Sequence, residues 1–316
     1  MDIKNDSRGV YVGMGGWDLE PFENVFYPSH PNKRSRKLEF YCQYFDHVEV
    51  NATFYRAAFT KRHSLRWLED VKENRDFLFT VKLYRGLTHT YEATAEDILS
   101  VLRFLEPLAQ SGRFAGVVMQ FPYSFTHVRE RREYLMFLAR TFQPHRLFVE
   151  VRHNSWNTPF MLNFFQENRL HPINVDLPSI KQHMPFTCHA WGGVAYFRMM
   201  GRNAELWDRP FRREKSRPSL VSDRYLYCYD EDELDHLLRF LISLRPHTEK
   251  IFVVFHNDPQ AHSLLNGFQL RHLLRNRQRV PVPPQLIATF PQLRTIGMPV
   301  DHHHPLFAEM ERTITV

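Results

Sequence analysis

The seven residues Leu147-Phe148-Val149-Glu150-Val151-Arg152-His153 decide how this chain reads. The apolar run 147–151 is too short for a helix and right for a buried strand, and it runs straight into a carboxylate, a guanidinium and an imidazole. Working outward, runs of the same build recur at 10–12, 47–50, 77–81, 116–119, 172–175, 194–197 and 251–255, each rich in Val, Ile, Phe or Leu. Between them, 37–45, 95–108, 130–141, 159–168, 230–244 and 268–274 carry apolar residues at helical spacing. The stretch 230–244 opens on Asp230, Glu231, Asp232 and Glu233, an acidic turn that suits a helix N-terminus. Strands alternating with helices predict βαβ units and parallel pairing. Eight such strands predict an α/β fold, a (β/α)8 TIM-like barrel in a single domain over 9–279. A short Pro-rich C-terminal extension, 280–316, is expected to pack on or near it, and 202–224 reads as a long loop after the seventh strand.

Composition narrows the class further. With 316 residues, 43% hydrophobic and 24% charged, the chain is neither disordered nor of low complexity. It has no apolar run of about 18 residues, so no membrane partner is expected. The polar opening 1–8 predicts no signal peptide, and Cys42, Cys188 and Cys228 stand apart without a C-x-x-C pair. A reducing, cytoplasmic location is the expectation. There is neither a G-x-G-x-x-G after the first strand nor a G-x-x-x-x-G-K-[ST], which removes the usual dinucleotide and nucleotide loops. The net charge of +6 points mildly to an anionic small molecule or nucleic acid as partner. Basic clusters stand at Lys33, Arg34, Arg36 and Lys37, at Arg209, Arg212, Arg213, Lys215 and Arg217, and at Arg271, Arg275, Arg277 and Arg279.

The stronger signal is the residue type that ends each strand. The second ends in Glu49 and Asn51, the third in Lys82, the fourth in Gln120, the fifth in Glu150, Arg152 and His153. The sixth ends in Asn174 and Asp176, the seventh in Arg198 followed by Arg202, the eighth in His256, Asn257 and Asp258. Such a set places ionisable groups around the carboxyl mouth of the barrel, the face that carries the active site in enzymes of this fold. Glu49 and Asn51 share parity, as do Glu150 and Arg152, so each pair can point the same way.

In order along the chain, Gly13-Met14-Gly15-Gly16-Trp17, Phe26-Tyr27-Pro28, V-E-V-N-A-T-F-Y (48–55), Lys82, Thr88-His89 and Gln120-Phe121-Pro122 resemble the YecE-like proteins, the domain-of-unknown-function 72 family. V-E-V-R-H-N-S-W (149–156), Asp176-Leu177-Pro178, Arg198 with Gly201-Arg202, and Asn257 continue the resemblance, which runs from about residue 10 to about 275. It implies a barrel related to the TIM fold, in a stand-alone cytoplasmic protein with no established activity. It also implies a likeness to phosphate-handling barrels such as endonuclease IV, which is analogy of fold. Met14 and Gly15 stand where the family usually has Thr and Ser, Met200 where it has His, and His256 where it has Asn.

Three chemistries fit these residues. In the first, Lys82, Arg152, Arg198 and Arg202 hold a phosphate, and Trp17, Tyr55 and Trp156 stack on a base or sugar. Asn51, His89, Gln120, His153 and Asn257 complete the ligand-binding set. Glu49, Glu150 and Asp176 are the candidate catalytic carboxylates, with Glu49 or Glu150 as general base, so an enzyme of this kind would be a hydrolase of phosphoester bonds, with a nucleic-acid phosphodiesterase as the specific expectation. In the second, a divalent metal on Glu49, Glu150, Asp176, His153 and His256 serves a hydrolase or sugar isomerase. It is less favoured, because no two ligands fall at a tight local spacing; the run Asp301-His302-His303-His304 lies far from the strand ends. In the third, the same charges pair with one another in a non-enzymatic ligand- or partner-binding module.

Overall fold

Each apolar run alternates its residues between two buried faces, and strands buried on both faces belong in a parallel sheet covered by helices. A computed structural model describes residues 9–28, 37–208 and 223–300. The strands β1 (Val10–Met14), β2 (His47–Val50), β3 (Leu78–Lys82), β4 (Phe114–Gln120), β5 (Leu147–Glu150), β6 (Leu170–Asp176), β7 (Val194–Met199) and β8 (Lys250–Phe255) form a closed parallel barrel in sequence order. β1 closes it against β8 in continuous register, from Val10 opposite Ile251 to Met14 opposite Phe255. All eight strands lie within two residues of the ends read from the sequence.

Side chains of one parity fill the barrel. Phe148 and Tyr196 approach to 4.7 Å between ring centroids, His47 and Phe252 to 4.9 Å, and Tyr196 and Phe252 to 5.6 Å. This layer is solid, so the interior is a core and not a pore. Residues of the other parity, among them Phe79, Phe197, Val253 and Phe255, join the larger core beneath the helices.

The helices expected at 95–108, 130–141, 159–168 and 230–244 form as Ala95–Gln110, Arg129–Phe142, Pro159–Glu167 and Glu231–Leu244, the last capped by Asp230 accepting from the backbone of Glu233. The one expected at 37–45 is shorter, Lys37–Tyr41. His262–Leu274 begins six residues before the stretch at 268–274, because its first turns are buried almost all round and show no apolar stripe. Lys61–Asp70 went unread for the opposite reason: of its ten residues only Ser64 and Trp67 are buried. Beyond residue 279, Val280–Val282 pairs in parallel with Gly297–Pro299, and the Tyr44 hydroxyl donates to the Val300 carbonyl at 2.8 Å. No helix among the described residues is long and apolar enough to cross a membrane.

The basic clusters separate. Lys33, Arg34 and Arg36, all of Arg209, Arg212, Arg213, Lys215 and Arg217, most of the loop read at 202–224, and the Asp301-His302-His303-His304 run lie outside the described residues. The third cluster is substantially paired: Arg271 meets Asp46 at 3.2 Å, and Arg277 meets Glu231 at 2.6 Å and Asp235 at 3.2 Å.

Closure depends on a close approach at β1. A Cβ built on Gly13 would come within 2.1 Å of the His47 carbonyl oxygen, and that backbone is held by the β1–β2 and β2–β3 ladders. Gly13→Ala is therefore expected to cost on the order of 3 kcal/mol. Urea unfolding checks it: an unchanged midpoint would show that the two strands can part at no cost.

Candidate functional site

The polar groups of the barrel begin on its axis. The Tyr196 hydroxyl donates to Glu49 Oε2 at 2.8 Å, which leaves its oxygen to accept from Thr80 at 2.9 Å. Thr80, having spent its proton, accepts from His47 Nε2 at 3.0 Å. The direction of each bond follows from the charge on Glu49 and makes His47 a neutral Nε2–H tautomer. Burial agrees, pulling His47 down to about 3.

Above this chain the Arg198 guanidinium, 1% exposed, lies between two carboxylates that are 0% exposed. Its Nη2 donates to Glu49 Oε1 at 2.8 Å, its Nη1 to Glu150 Oε2, and its Nε to His256 Nε2 at 3.1 Å. His256 is thus a neutral acceptor at Nε2 with its proton on Nδ1, and burial with the Arg198 charge lowers it to about 4. Arg152 Nε donates to the other oxygen of Glu150 at 2.6 Å. Burial alone would raise both carboxyls, yet Arg198, joined by Arg152 at Glu150, holds them well below the usual carboxylate range. Both stay charged and both are fully engaged, which makes them poor proton acceptors.

Over this layer opens a cavity of about 580 Å3. Lys82, Arg152 and Gln120 stand on one side of its wall, and Asn51, His256 and Asp258 on the other. The Lys82 ammonium makes no hydrogen bond or ion pair to a described residue and lies 4.2 Å from the centroid of the Phe54 ring. Burial, reinforced by Arg198 and opposed by Glu49 and Glu150, lowers the amine to about 7. Asp258, which strand-end reading noted but did not select, is pushed up to about 7, chiefly by burial, with Glu49 adding to it. These two are the cavity groups able to exchange protons near neutrality. Trp17 and Tyr55 form part of the rim, Tyr55 being 71% exposed, and Phe54, Arg56 and Tyr225 join them without having been selected from the sequence.

Other expected residues lie elsewhere. Asp176 has the opposite parity to Ile173 and Val175, which face the barrel interior, so it turns outward. There it takes Arg202 Nε on both oxygens at 2.9 Å, and Arg202 Nη1 donates onward to Glu233 at 2.8 Å. Neither Asp176 nor Arg202 lines the cavity. Asn257, outward for the same reason, donates to the Tyr227 carbonyl at 2.9 Å and to Asn266 at 2.8 Å. Trp156 is no stacking platform: it is fully buried, parallel to Phe125 at 5.6 Å, with its indole N–H on the Phe125 carbonyl at 2.8 Å. His153 accepts from the Ser155 backbone at 3.1 Å and packs on Tyr123. His89, lowered to about 4 chiefly by burial, sits behind Phe54 and 3.4 Å from the Gln120 amide. No three His, Cys, Asp or Glu side chains among the described residues converge as metal ligands; between Glu49 and Glu150 the space is taken by Arg198. All three cysteines are free thiols.

Two sequence departures meet in space. A Cβ on Gly15 would come within 2.4 Å of His256 Nδ1 and 2.8 Å of Asn51 Nδ2. The imidazole, with the Asn51 amide beside it, thus fills the room a side chain at position 15 would need, so a histidine at 256 requires glycine here.

A parallel eight-stranded barrel with a charged, aromatic-rimmed mouth is the class these features define. The family described as "Protein of unknown function DUF72" matches residues 11–290, and the chain belongs to it. It is similar to the UPF0759 protein YunF of Bacillus subtilis, 28% identical over 290 residues, covering 88% of this chain and 99% of that one. A crystal structure of a DUF72 family protein from Thermotoga maritima superposes with a TM-score of 0.72 at 30% identity, covering 84% of this chain and 98% of the other. One from Enterococcus faecalis does so with a TM-score of 0.72 at 23% identity, covering 87% and 98%.

Two outcomes follow from this geometry. Removing the shared counter-charge with Arg198→Met should cost about 3–5 kcal/mol at neutral pH. In the wild type the depressed carboxyls contribute stability above their unfolded pKa that is lost as pH falls. In the variant they are buried without that partner, their pKa rises, and the sign reverses, so the deficit narrows between about pH 8 and about pH 5. Urea unfolding at both values reads this; a deficit independent of pH would contradict the ion-pair assignment. Separately, Gly15→Ser should destabilise by about 1–3 kcal/mol, and adding His256→Asn should recover most of the loss. A thermodynamic cycle with purely additive terms would show that the two positions do not compete for space.

Proposed function

We propose that the mouth cavity binds a small anion, a phosphate- or carboxylate-bearing metabolite, through Lys82 and Arg152. One observation carries the reading. Two buried carboxylates, Glu49 and Glu150, face three cations, Arg198, Arg152 and Lys82, and the odd one out, Lys82, has no ionic partner among the described residues. When Lys82 is protonated and Asp258 is neutral, the wall carries one uncompensated positive charge in a site of low polarity, where an anion gains most. Arg152 adds the two Nη groups, which make no hydrogen bond to a described residue, a planar fork suited to phosphate or carboxylate. The volume, about 580 Å3, suits a small molecule.

The hydrolytic extension of this reading, a phosphodiesterase acting on nucleic acid, draws no general base from Glu49 or Glu150, whose oxygens are all taken by Arg198, Arg152 and Tyr196 and whose proton affinity is depressed. Any proton transfer on a bound ligand would fall to Lys82 and Asp258, the groups near neutrality. The aromatic rim of Trp17, Phe54 and Tyr55 is available to an apolar or ring portion of the ligand.

Sulfate, whose charge is constant across the range, is a clean probe for isothermal titration. Lys82→Met and Arg152→Ala should each weaken it at least tenfold. A bound anion favours the protonated amine, so affinity is highest below about pH 7 and falls up to tenfold per unit above it. Asp258 ionises over the same range and acts in the same direction, whereas Glu49, Glu150, His89 and His256 titrate well below it. Binding that is absent, or indifferent to both substitutions and flat to about pH 9, would overturn the proposal.

A further inference from the structure

We infer that the ligand of this cavity is a hydroxylated anion, its acidic group held by Lys82 and Arg152 and its hydroxyl groups by Asn51 and Asp258. The inference rests on the anion-binding reading above and adds the opposite pole of the site.

The barrel order divides the mouth into two arcs. Lys82 ends β3 and Arg152 follows β5, so the available donors stand on the β3–β5 arc. Asn51 follows β2 and Asp258 follows β8, flanking Gly15 at the end of β1 on a second arc, which adjoins the first where β2 pairs with β3. Asn51 Oδ1 and Asp258 Oδ1 are both buried and make no hydrogen bond, although the Ser263 side chain lies near enough to Asp258 to favour its charged form. The Asn51 amide is not free to turn. Its nitrogen donates to the Gly15 carbonyl at 2.7 Å, and the reverse orientation would set oxygen against oxygen. Buried acceptors left without a donor are costly, so the arc calls for a ligand that brings donors to it.

The choice between an amine and a hydroxyl is settled by charge. Below about pH 7, where Asp258 is protonated, Arg198, Arg152 and Lys82 outnumber the ionised Glu49 and Glu150, and an ammonium group would add a fourth cation to the same site. A hydroxyl supplies the donor without the charge. It also accepts, which suits the Nδ1–H of His256 on the same arc. Trp17 and Tyr55 at the rim offer faces to the C–H surface of a sugar-like chain. An acidic group joined to several hydroxyls belongs either to a sugar phosphate or to a sugar acid, and the site chemistry is common to both.

Isothermal titration of the wild-type protein compares hydroxylated anions with their bare counterparts: pentose and hexose phosphates against inorganic phosphate, and aldonates against acetate, with glucose as the neutral control. At least one hydroxylated anion should bind tenfold or more tighter than its bare counterpart, and glucose should not bind. A preference confined to the phosphates, or to the aldonates, names the source. Asn51→Leu and Asp258→Leu should each remove most of that gain, read within each variant as the ratio of hydroxylated to bare anion affinity. The wild-type comparison stands even if a variant fails to fold. Bare anions bound as tightly as hydroxylated ones would overturn this inference and leave the anion site intact. A gain that survives both substitutions would overturn the assignment of the second pole. No anion binding at all would remove both readings together.

Discussion

One guanidinium between two carboxylates organises the upper half of this barrel. Arg198 comes from β7, Glu49 from β2 and Glu150 from β5, so the cluster ties together strands on different sides of the sheet. A buried ion pair of this kind contributes little net stability against an apolar substitute, but removing one partner strands the others. Its larger effect is on register. A one-residue slip of β2, β5 or β7 would turn its charge out into the shell of helices, where Phe197 and Phe255 pack. The charges therefore act as a check on alignment, in addition to the apolar layers below them. They also give direction to the hydrogen bonds beneath, since Glu49 can only accept and every proton in Tyr196, Thr80 and His47 is oriented by that fact.

The same pairing decides which groups are free for chemistry. Residues that look most catalytic in the sequence, Glu49 and Glu150, are the ones Arg198 immobilises as permanent anions. Lys82, repelled by that guanidinium and partly desolvated, is brought close to neutrality, and Asp258 is brought there from the other side by burial and by Glu49. Structure and reactivity are thus divided between two shells. The inner one is fixed and charged, and the outer one is titratable and faces the cavity. His256 joins the two, accepting from Arg198 below while keeping an N–H above, and it has room to do so because position 15 is glycine.

Most of the fold was legible because each strand is short, apolar and followed by a polar residue, a pattern that survives translation into a closed barrel almost without change. The helices that escaped did so for understandable reasons. Lys61–Asp70 buries too little to show a stripe, and the first half of His262–Leu274 buries too much. At the mouth, residue type was a good guide to strand ends but parity was the better guide to direction. Glu49, Lys82, Glu150, Arg152 and Arg198 share the parity of the inward layer, and all gather. Asp176 and Asn257 follow Val175 and His256 by one residue, and that single step sends them outward to Arg202 and Asn266. Trp156 was misread because an indole after a strand is as well suited to roofing a helix layer as to stacking on a ligand, and only packing distinguishes them.

Net charge turns out to be a poor pointer to the proposed anion site. Arg271 and Arg277, in a basic cluster that drew attention in the sequence, are held by Asp46, Glu231 and Asp235 on the outside of the fold. Exposed pairs of that kind are screened by solvent and add little to a field inside the barrel. What matters at the mouth is a local count of three cations against two permanently ionised carboxylates, with Asp258 a third only once it ionises. A single lysine there exerts more influence on a ligand than several arginines on the surface, because its charge is neither screened nor paired. The proposed anion site therefore depends on where Lys82 sits, and the chain's excess of basic residues could be reversed without touching it.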